Sequence, residues 1–266
     1  MDGVRVDRHA VGAGAIAEVR LDRPEAMNAL STVMLKTLRE RFAALAGDTG
    51  VLAVVLSSTG DRAFCAGADL KERAAMSDAE IMAQRPVFRA AFGALLALPQ
   101  PAIAAVGGFA LGGGCELALS CDIIVADGNA AFGLPEAGVG LVPGCGGTQL
   151  LARRVGPGRA AELLFTARRI DAARAEVIGL VDVLVPAGSA RDQALDLARQ
   201  IAANSPVAVR AAKQAVRNGA GLSLGPALDV EDAAWRTAAA SPDRREGITA
   251  FAEKRKPAWP SLSGLV

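Results

Sequence analysis

Short apolar runs alternate with helical patterns over residues 51–126 of the chain. The apolar runs consist mainly of Val, Ile, Leu and Ala, which is the composition of strands buried on both faces. Such alternation is typical of right-handed βαβ units on a parallel sheet, and ligands bind these sheets beyond the carboxyl ends of the strands. The sequence therefore predicts an α/β fold with its chemistry in the loops after the central strands. The predicted strands cover residues 51–56, 102–106 and 122–126.

The composition fits one large α/β domain, or a main domain with a smaller appendage. Hydrophobic residues make up 52% of the chain but aromatic residues only 4%, and Tyr is absent, so an aliphatic core is expected. The formal net charge is only +1, which excludes a global field that would draw the protein to nucleic acid or to an anionic membrane. Residues 90–115 are uncharged, but Pro99, Pro101 and several glycines interrupt them, so no membrane span is expected.

The cysteines indicate neither disulfides nor a metal site. No C-x-x-C pair occurs, and His9 is the only histidine, so the sequence lacks the spacing of a zinc site. Buried, reduced thiols are expected, as in a cytosol-like compartment. The N-terminal residues alternate in charge and lack the apolar core of a secretory signal, so a cytoplasmic protein is expected. The cysteines are Cys65, Cys115, Cys121 and Cys145.

Three consecutive glycines, residues 112–114, follow one of the predicted strands and open a helix that carries Glu116 in its first turn. Glycine leaves backbone N–H groups accessible, and a helix N-terminus adds partial positive charge. We interpret the stretch as a cradle for an anion or an oxyanion. The segment alone equally allows a tight strand-to-helix turn in which Glu116 only interacts with the helix dipole.

Two other loops have the composition of a site. Residues 63–71 are mostly small, which leaves room for a ligand beside the backbone. Glu136 is the lone carboxylate of the glycine-rich residues 132–148. Its apolar neighbours are expected to desolvate the charge, which raises the pKa and suits the group to proton transfer. The alternative is a glutamate in a surface loop.

The rest of the chain is predicted to form an N-terminal hairpin and a helical C-terminal part. Strands at residues 4–7 and 16–21 flank a glycine-containing turn. We predict a main domain over residues 1–188 and a helical region over residues 189–266, which ends in a basic tail at Lys254. By composition alone the tail is a solvated terminus.

Three motifs, in this order and spacing, resemble those of the enoyl-CoA hydratase/isomerase (crotonase) superfamily: residues 64–70, 110–117 and 143–149. The similarity spans nearly the whole chain and ends with residues 246–255. The resemblance implies an α/β fold with a ββα spiral core and a C-terminal helical region used for trimerisation, usually within a dimer of trimers. It also implies an acyl-CoA thioester as the ligand.

The resemblance also implies the catalytic groups. The backbone N–H groups of Ala68 and Gly113 match the oxyanion hole for the thioester oxygen, and Glu116 and Glu136 match the two glutamates of the hydratases. Since both glutamates are present, the resemblance implies hydration of a 2-enoyl-CoA, as in fatty-acid or branched-chain amino-acid degradation. Members with one carboxylate tend to be isomerases or other lyases, and a Δ3-Δ2-enoyl-CoA isomerase is the nearest alternative. No metal or redox cofactor is implied, because coenzyme A is part of the substrate.

The family places coenzyme A against a turn and a loop of its own chain. Phe251 and Lys254 match positions that reach the CoA of a neighbouring subunit, which would make the basic tail a phosphate contact. Glu25 departs from the pattern, because short-chain hydratases often carry a lysine there near the CoA phosphates. The implied CoA-binding positions in the turn and the loop are Ala26, Met27, Ala66, Gly67, Asp69, Leu70 and Lys71.

Within the family, residues 64–74 look closest to methylglutaconyl-CoA hydratases that also bind AU-rich RNA. Those proteins use a lysine-rich first helix, whereas the first predicted helix here has only Lys36, Arg39 and Arg41 as basic residues. Three charges are too few for a phosphate track, so nucleic-acid binding is not expected. An RNA-binding protein without useful activity is the alternative from a different class. The sequence does not specify the length or branching of the acyl chain.

Overall fold

A computed structural model describes residues 2–263 of the chain. The strands are β1 (Val4–Val11), β2 (Gly14–Leu21), β3 (Val51–Ser58), β4 (Ala63–Cys65), β5 (Ala102–Val106), β6 (Phe109–Leu111), β7 (Ile123–Asp127), β8 (Ala131–Gly133), β9 (Arg169–Asp171) and β10 (Val183–Val185). The α-helices are α1 (Thr32–Gly47), α2 (Leu70–Ala74), α3 (Asp78–Leu96), α4 (Gly113–Ser120), α5 (Gly147–Val155), α6 (Pro157–Thr166), α7 (Ala172–Val177), α8 (Ala190–Ala202), α9 (Pro206–Gly219), α10 (Leu224–Ala240) and α11 (Pro242–Ala252). Short 3-10 turns cover Pro24–Ala26, Pro135–Val139 and Pro260–Leu262.

Six strands form the main sheet, in the order β1-β2-β3-β5-β7-β10. β1 and β2 are antiparallel and form the predicted hairpin, whereas every further pair of neighbours is parallel. The strand predicted at residues 102–106 is confirmed with the same bounds as β5. The other strands of this sheet that the sequence predicts are confirmed with shifts of one or two residues at their ends, except that β1 runs four residues beyond the predicted 4–7. The α/β fold with a parallel sheet is therefore confirmed.

Side chains of β3 alternate between the two faces of the main sheet, and helices cover both faces. Val54 and Leu56 face the core formed with α1, α3 and α4, while Ala53 and Val55 face α8. Because it is buried on both faces, β3 is a continuous apolar run. α8 begins next to the predicted domain boundary at residue 189, and that boundary stays a prediction. The α8 side chains on the sheet are Ala190, Ala194, Leu195 and Ala198.

A second sheet consists of four short strands in the order β4-β6-β8-β9. β4, β6 and β8 each follow a strand of the main sheet, pair in parallel with one another and lead into helical residues. The chain thus repeats a long strand, a short strand and a helix, which confirms the ββα core that the resemblance implies. Apolar periodicity does not predict these strands, since three residues are too few to show a period. Their pairing places the loops after β4 and β6 side by side.

α9, α10 and α11 form the helical C-terminal part that the sequence predicts. Long basic side chains of α9 anchor it to the core, among them Lys213 and Arg217. Lys213 Nζ donates to the carbonyl oxygen of Gln100 at 2.7 Å, and Arg217 Nη2 lies 2.7 Å from Asp122 Oδ1. No helix within residues 2–263 is both long and apolar enough to cross a membrane. The large apolar side chains that these three helices expose are Val216, Leu224, Leu228, Trp235, Ile248 and Phe251.

Candidate active site

The loop after β4 lies against the N-terminus of α4. A Cβ atom on Gly67 would lie 2.8 Å from the carbonyl oxygen of Leu111 and 3.3 Å from the nitrogen of Gly113. Gly67 also has a φ of +96°, in the region that favours glycine. Glycine at this position therefore allows the two backbone segments to approach closely.

This approach brings the amides of Ala68 and Gly113 together. A Cβ atom on Gly113 would lie 3.8 Å from the Ala68 nitrogen. Leu30 holds the loop from the other side, because its N–H donates to the Gly67 carbonyl at 2.8 Å and its carbonyl accepts from the Asp69 N–H at 3.1 Å. Gly113 is the first residue of α4, so its N–H has no acceptor inside the helix. In the described part of the chain, neither amide donates to a carbonyl of another segment, and both are available to an external oxygen.

Glu116 lies in the first turn of α4, and the residue is only 3% exposed. Its Oε1 accepts from the N–H groups of Cys145 at 2.6 Å and Gly147 at 2.8 Å. Both donors belong to the glycine-rich segment that begins α5, so that helix N-terminus faces the carboxylate. Burial raises the pKa of Glu116, while the two amide donors and the charge of Arg85 oppose the rise. The carboxyl group is therefore buried but held in place by dedicated donors.

Glu136 lies in the 3-10 turn that follows β8. A Cβ atom on Gly112 would lie 3.0 Å from Glu136 Oε1, so this carboxyl group reaches the glycine cradle. Its Oε2 is buried and has no hydrogen-bond partner among residues 2–263. Burial, and to a lesser degree the charge of Glu116, raise the pKa of Glu136 to about 7. The predicted rise in this pKa is confirmed, and the group is not a solvated loop glutamate.

The two carboxyl groups thus flank one helix N-terminus in unequal environments. Glu116 receives two amide hydrogen bonds from other residues, whereas Glu136 keeps a buried oxygen without a donor. Beside two free amide donors, such groups can stabilise negative charge on a carbonyl oxygen and move protons at neighbouring atoms. Within residues 2–263 no group of three His, Cys, Asp or Glu side chains could hold a metal ion.

Thiol chemistry does not fit this site. All four cysteines are free and buried, as the sequence predicts. Burial raises the pKa of Cys65 to about 12 and also raises that of Cys115, next to Glu116 in sequence. A thiol is a nucleophile only as the thiolate, so these residues act as small apolar side chains.

The turn predicted to contact CoA lies next to the loop after β4. The carbonyl of Met27 accepts from the Ala66 N–H at 3.0 Å, which joins the two segments. Ala26 ends the 3-10 turn, and Glu25 in the same turn is exposed. The structure therefore brings these predicted positions together beside Gly67. Their contact with CoA stays a prediction.

The residues after Ala68 divide into a structural group and an accessible group. Asp69 caps α2, because its side chain accepts from the Lys71 N–H at 3.1 Å, and it also pairs with Arg23 at 3.1 Å. Leu70 is 65% exposed, and Lys71 is exposed beside it. We therefore assign Asp69 a structural role, which is to fix the conformation of the loop. Leu70 and Lys71 stay candidate ligand contacts.

Phe251 and Lys254 lie at the C-terminal end of α11. Phe251 is 87% exposed, and Lys254 is exposed with a φ of +53° just after the helix. α11 packs against α10 and the turn at Pro260–Leu262. The assignment of both residues to the CoA of a neighbouring subunit stays a prediction.

Asn28 joins the loops around the site, a role that the motifs do not indicate. Its Oδ1 accepts from the Arg23 N–H at 2.8 Å, and its Nδ2 donates to the carbonyl oxygens of Thr59 at 3.0 Å and Ala63 at 2.9 Å. It is fully buried and has a φ of +53°, which Asn tolerates better than most residues. An asparagine in a polar turn before a helix is the only local signal for this role.

Two arginines that the motifs do not indicate also lie near the carboxyl groups. The charge of Arg73 lowers the pKa of Glu136, and that of Arg85 lowers the pKa of Glu116. Arg85 Nη1 lies 3.8 Å from the Sγ atom of Cys145. These contacts join segments that are distant in sequence, so no local pattern predicts them.

Known proteins are similar to this chain in sequence and in fold. The sequence model described as enoyl-CoA hydratase/isomerase matches residues 12–261. The short-chain-enoyl-CoA hydratase of Clostridium acetobutylicum is 43% identical over 91% of this chain and 93% of its own length. The mitochondrial methylglutaconyl-CoA hydratase of Mus musculus is 41% identical over 92% of this chain and 79% of its own length. The crystal structure of enoyl-CoA hydratase from Bacillus anthracis has a TM-score of 0.94 at 40% identity, over 97% of this chain and 99% of that chain. The chain therefore belongs to the enoyl-CoA hydratase/isomerase family and has its crotonase-type fold.

Proposed function

We propose that the protein is an enoyl-CoA hydratase, which adds water across the C2–C3 double bond of a 2-enoyl-CoA thioester and gives a 3-hydroxyacyl-CoA. One observation carries the proposal: the free amides of Ala68 and Gly113 lie at the same helix N-terminus as Glu116 and Glu136. The hydratases among the relatives support it. Two carboxyl groups are what hydration requires, because one group activates water while the other supplies a proton.

The two amides would bind the thioester carbonyl oxygen. When the oxygen of water bonds to C3, the electron pair of the double bond moves through C2 to the carbonyl oxygen and forms an enolate. The N–H groups of Ala68 and Gly113, together with the N-terminus of α4, stabilise that negative charge. Removal of one such donor typically costs about 2.7–4 kcal/mol of transition-state stabilisation.

The unequal carboxyl groups would divide the proton transfers. Glu116, whose Oε1 is held by two amides, takes a proton from the attacking water in its ionised form. Glu136, with a pKa of about 7, is protonated in a large fraction of molecules at neutral pH and donates its proton to C2. Proton exchange with solvent then restores both groups, so the net change is addition of H and OH to the double bond.

The CoA part of the substrate would lie along the turn at Ala26 and Met27 and the loop up to Lys71. A neighbouring copy would supply Phe251 and Lys254, within a homotrimer or a dimer of trimers. The exposed apolar side chains of α9, α10 and α11 support such an assembly, since contiguous exposed apolar surface commonly marks an interface. The buried, unpaired cysteines support a cytoplasmic location.

Hydration of crotonyl-CoA, followed by the loss of enoyl-thioester absorbance, tests the function. We expect turnover by the wild type, a loss of about 10²–10⁴-fold in Glu116→Gln, and no change in Glu176→Gln, which alters an exposed residue of α7. A wild type that moves the double bond of a 3-enoyl-CoA without hydrating crotonyl-CoA would instead be the isomerase. Retention of RNA with no turnover of either thioester would favour the RNA-binding alternative.

A further inference from the structure

We propose that Arg217 is a positioning residue for the reaction. From α9 it binds the C-terminal end of α4 and so sets the place of the Gly113 amide and of Glu116 near the other end. This rests on the proposed hydratase function and assigns a residue outside the site to the same chemistry.

α4 is a short helix that moves as one unit. It has eight residues, all of them buried, and at about 1.5 Å of rise per residue its two ends are only about 12 Å apart. The hydroxyl of Ser120 donates to the Glu116 carbonyl oxygen at 2.8 Å, so the last turn is joined to the first. Because a close-packed interior transmits displacements, a shift at the C-terminal end of α4 reaches the groups at its N-terminal end.

The N-terminal end of α4 has no room for such a shift. A Cβ atom on Gly114 would overlap the carbonyl oxygen of Cys65, so the helix touches the end of β4. Ala68, which carries the other free amide, follows Cys65 by three residues on the same loop. The spacing between the Ala68 and Gly113 amides therefore depends on where α4 lies relative to β4, and an oxyanion hole requires both donors at about 2.7–3.1 Å from one oxygen.

The guanidinium of Arg217 holds the other end of α4 through three contacts. Its Nη2 donates to the Ser120 carbonyl oxygen at 3.0 Å, its Nη1 to the Leu96 carbonyl oxygen at 2.6 Å, and its Nε to Asp122 Oδ1 at 2.8 Å. Ser120 ends α4, Leu96 ends α3, and Asp122 lies just before β7. The last carbonyls of a helix lack partners inside it, and a cation there interacts favourably with the helix dipole. One side chain thus fixes the end of α4 against two neighbouring elements.

Asp122 in turn fixes Arg217 to the main sheet. Its Oδ2 accepts from the Ala102 N–H, the first residue of β5, at 2.7 Å and lies 2.8 Å from Lys213 Nζ. The side chain of Arg217 is only 26% exposed, and that of Lys213 only 7%. The guanidinium is therefore part of a built, largely buried network and not a solvated surface charge.

Arg210 gives the comparison that separates positioning from simple attachment of α9. It lies two helical turns before Arg217, and its Nη2 donates to the carbonyl oxygens of Thr49 and Val51, both at 3.0 Å. Within residues 2–263, Arg210 forms no hydrogen bond to α4. Both arginines attach α9 to the main sheet through backbone carbonyls, but only Arg217 reaches the catalytic helix.

The test measures kcat and KM for crotonyl-CoA in Arg217→Gln and in its matched control Arg210→Gln. We expect Arg217→Gln to lower kcat by about 10- to 100-fold, because a misplacement of about 1 Å can cost about 10²-fold. KM should change by less than about threefold, since the predicted CoA contacts lie on other segments. Arg217→Lys keeps the charge but cannot reach all three acceptors, so its kcat should be intermediate. Arg210→Gln should keep the wild-type kcat.

Hydrogen exchange of the amides in α4 provides a readout that does not depend on turnover. Exchange over residues 113–120 should be about 10- to 100-fold faster in Arg217→Gln, the range for loss of a charged hydrogen bond, and unchanged in Arg210→Gln. If Arg217→Gln does not fold, Arg217→Lys is compared with Arg210→Gln in the same two measurements.

Three results would overturn the inference. A wild-type kcat in the Arg217 variants would mean that α4 keeps its place without the guanidinium, and equal losses in the Arg210 variant would mean that any loosening of α9 has the same effect. Unchanged exchange in α4 would refute the positioning role whatever the turnover. By contrast, a wild type that does not hydrate crotonyl-CoA refutes the proposed function, and the exchange measurement still decides whether Arg217 holds α4.

Discussion

Two glutamates with buried carboxyl oxygens, Glu18 and Glu136, have opposite electrostatic environments. Glu18 lies within β2 and has no exposed surface. Its carboxylate accepts hydrogen bonds from Arg191 Nε and Ser57 Oγ, both at 2.7 Å, and lies 2.9 Å from His9 Nε2. Burial alone would raise its pKa, but these hydrogen bonds lower the pKa to about 2. In the described part of the chain, Glu136 Oε2 is buried without a hydrogen-bond partner, and the pKa of Glu136 is raised to about 7.

Burial raises the pKa of both carboxyl groups, so the opposite directions of the two shifts come from their partners. β1, β3 and α8 each supply a donor to Glu18, so its charge is neutralised by the tertiary structure. Glu136 lies on a short turn beside a glycine, and no donor within residues 2–263 reaches its Oε2. A fully bonded carboxylate is a structural group, whereas an orphaned one with a pKa near neutrality can exchange a proton. We therefore expect changes at Glu136 to affect turnover and changes at Glu18 to affect stability.

The largest effect is expected from Glu136→Gln. The amide cannot donate a proton to C2 as a carboxylic acid does, so kcat for crotonyl-CoA should fall by about 10²–10⁴-fold. The shape of the side chain is retained, so circular dichroism and urea unfolding should show an intact fold. Near-wild-type turnover would show that Glu136 is not the proton donor.

The next effect is expected from Glu18→Ala. It leaves the arginines of the cluster without their buried partner, and breaking a buried pair costs about 3–5 kcal/mol of unfolding free energy. Asp7→Ala is the matched control: Asp7 pairs with Arg20, also a partner of Glu18, but its side chain is 46% exposed, so its loss should cost no more than about 1 kcal/mol. Urea unfolding measures both. Equal effects of the two substitutions would show that burial does not distinguish the carboxylates.

The smallest effect separates the two glutamates by pH. The pKa of Glu136 in the folded chain is about 7, above its ordinary 4.5, so its contribution to stability is intact below pH 4.5 and is lost as pH rises toward 7. Glu18 behaves oppositely: with a folded pKa of about 2, its contribution is present above pH 4.5 and is lost as pH falls toward 2.

At pH 8 the free energy of unfolding of Glu136→Gln should therefore exceed that of the wild type by about 2–3 kcal/mol. At pH 4 the two proteins should show no such difference. Urea titrations at the two pH values measure the difference. A stability gain that does not depend on pH would mean that deprotonation of Glu136 is not its cause.

Sequence reasoning predicted the long buried elements best. β5 and the start of α1 at Thr32 agree with the prediction, because five consecutive apolar residues and a serine cap are strong local signals. The raised pKa of Glu136 also agrees with the prediction, but its large apolar neighbours in sequence, Val139, Leu141 and Val142, are exposed, and the carboxyl group lies against Gly112 instead. The strand and the helix start depend on residues close together in the chain.

What could not be predicted depends on contacts between distant segments. β1 and β2 showed a strand pattern, but nothing local indicated that Glu18 would be buried among four polar partners. The amides that hold Glu116 come from residues 29 and 31 positions away, and only the resemblance linked those segments. Arg85 is a polar residue in an amphipathic helix until the fold places Cys145 beside it.

The hydrogen bond between Glu18 and Arg191 joins residues 173 positions apart. Closing so large a loop costs conformational entropy before the contact forms, which makes such pairings late events in folding. On the ribosome, β1, β2 and β3 emerge long before α8, so the sheet face of Ala53 and Val55 stays uncovered while most of the chain is made. We expect nascent chains that stop before Ala190 to depend on chaperones, because their exposed apolar face favours aggregation.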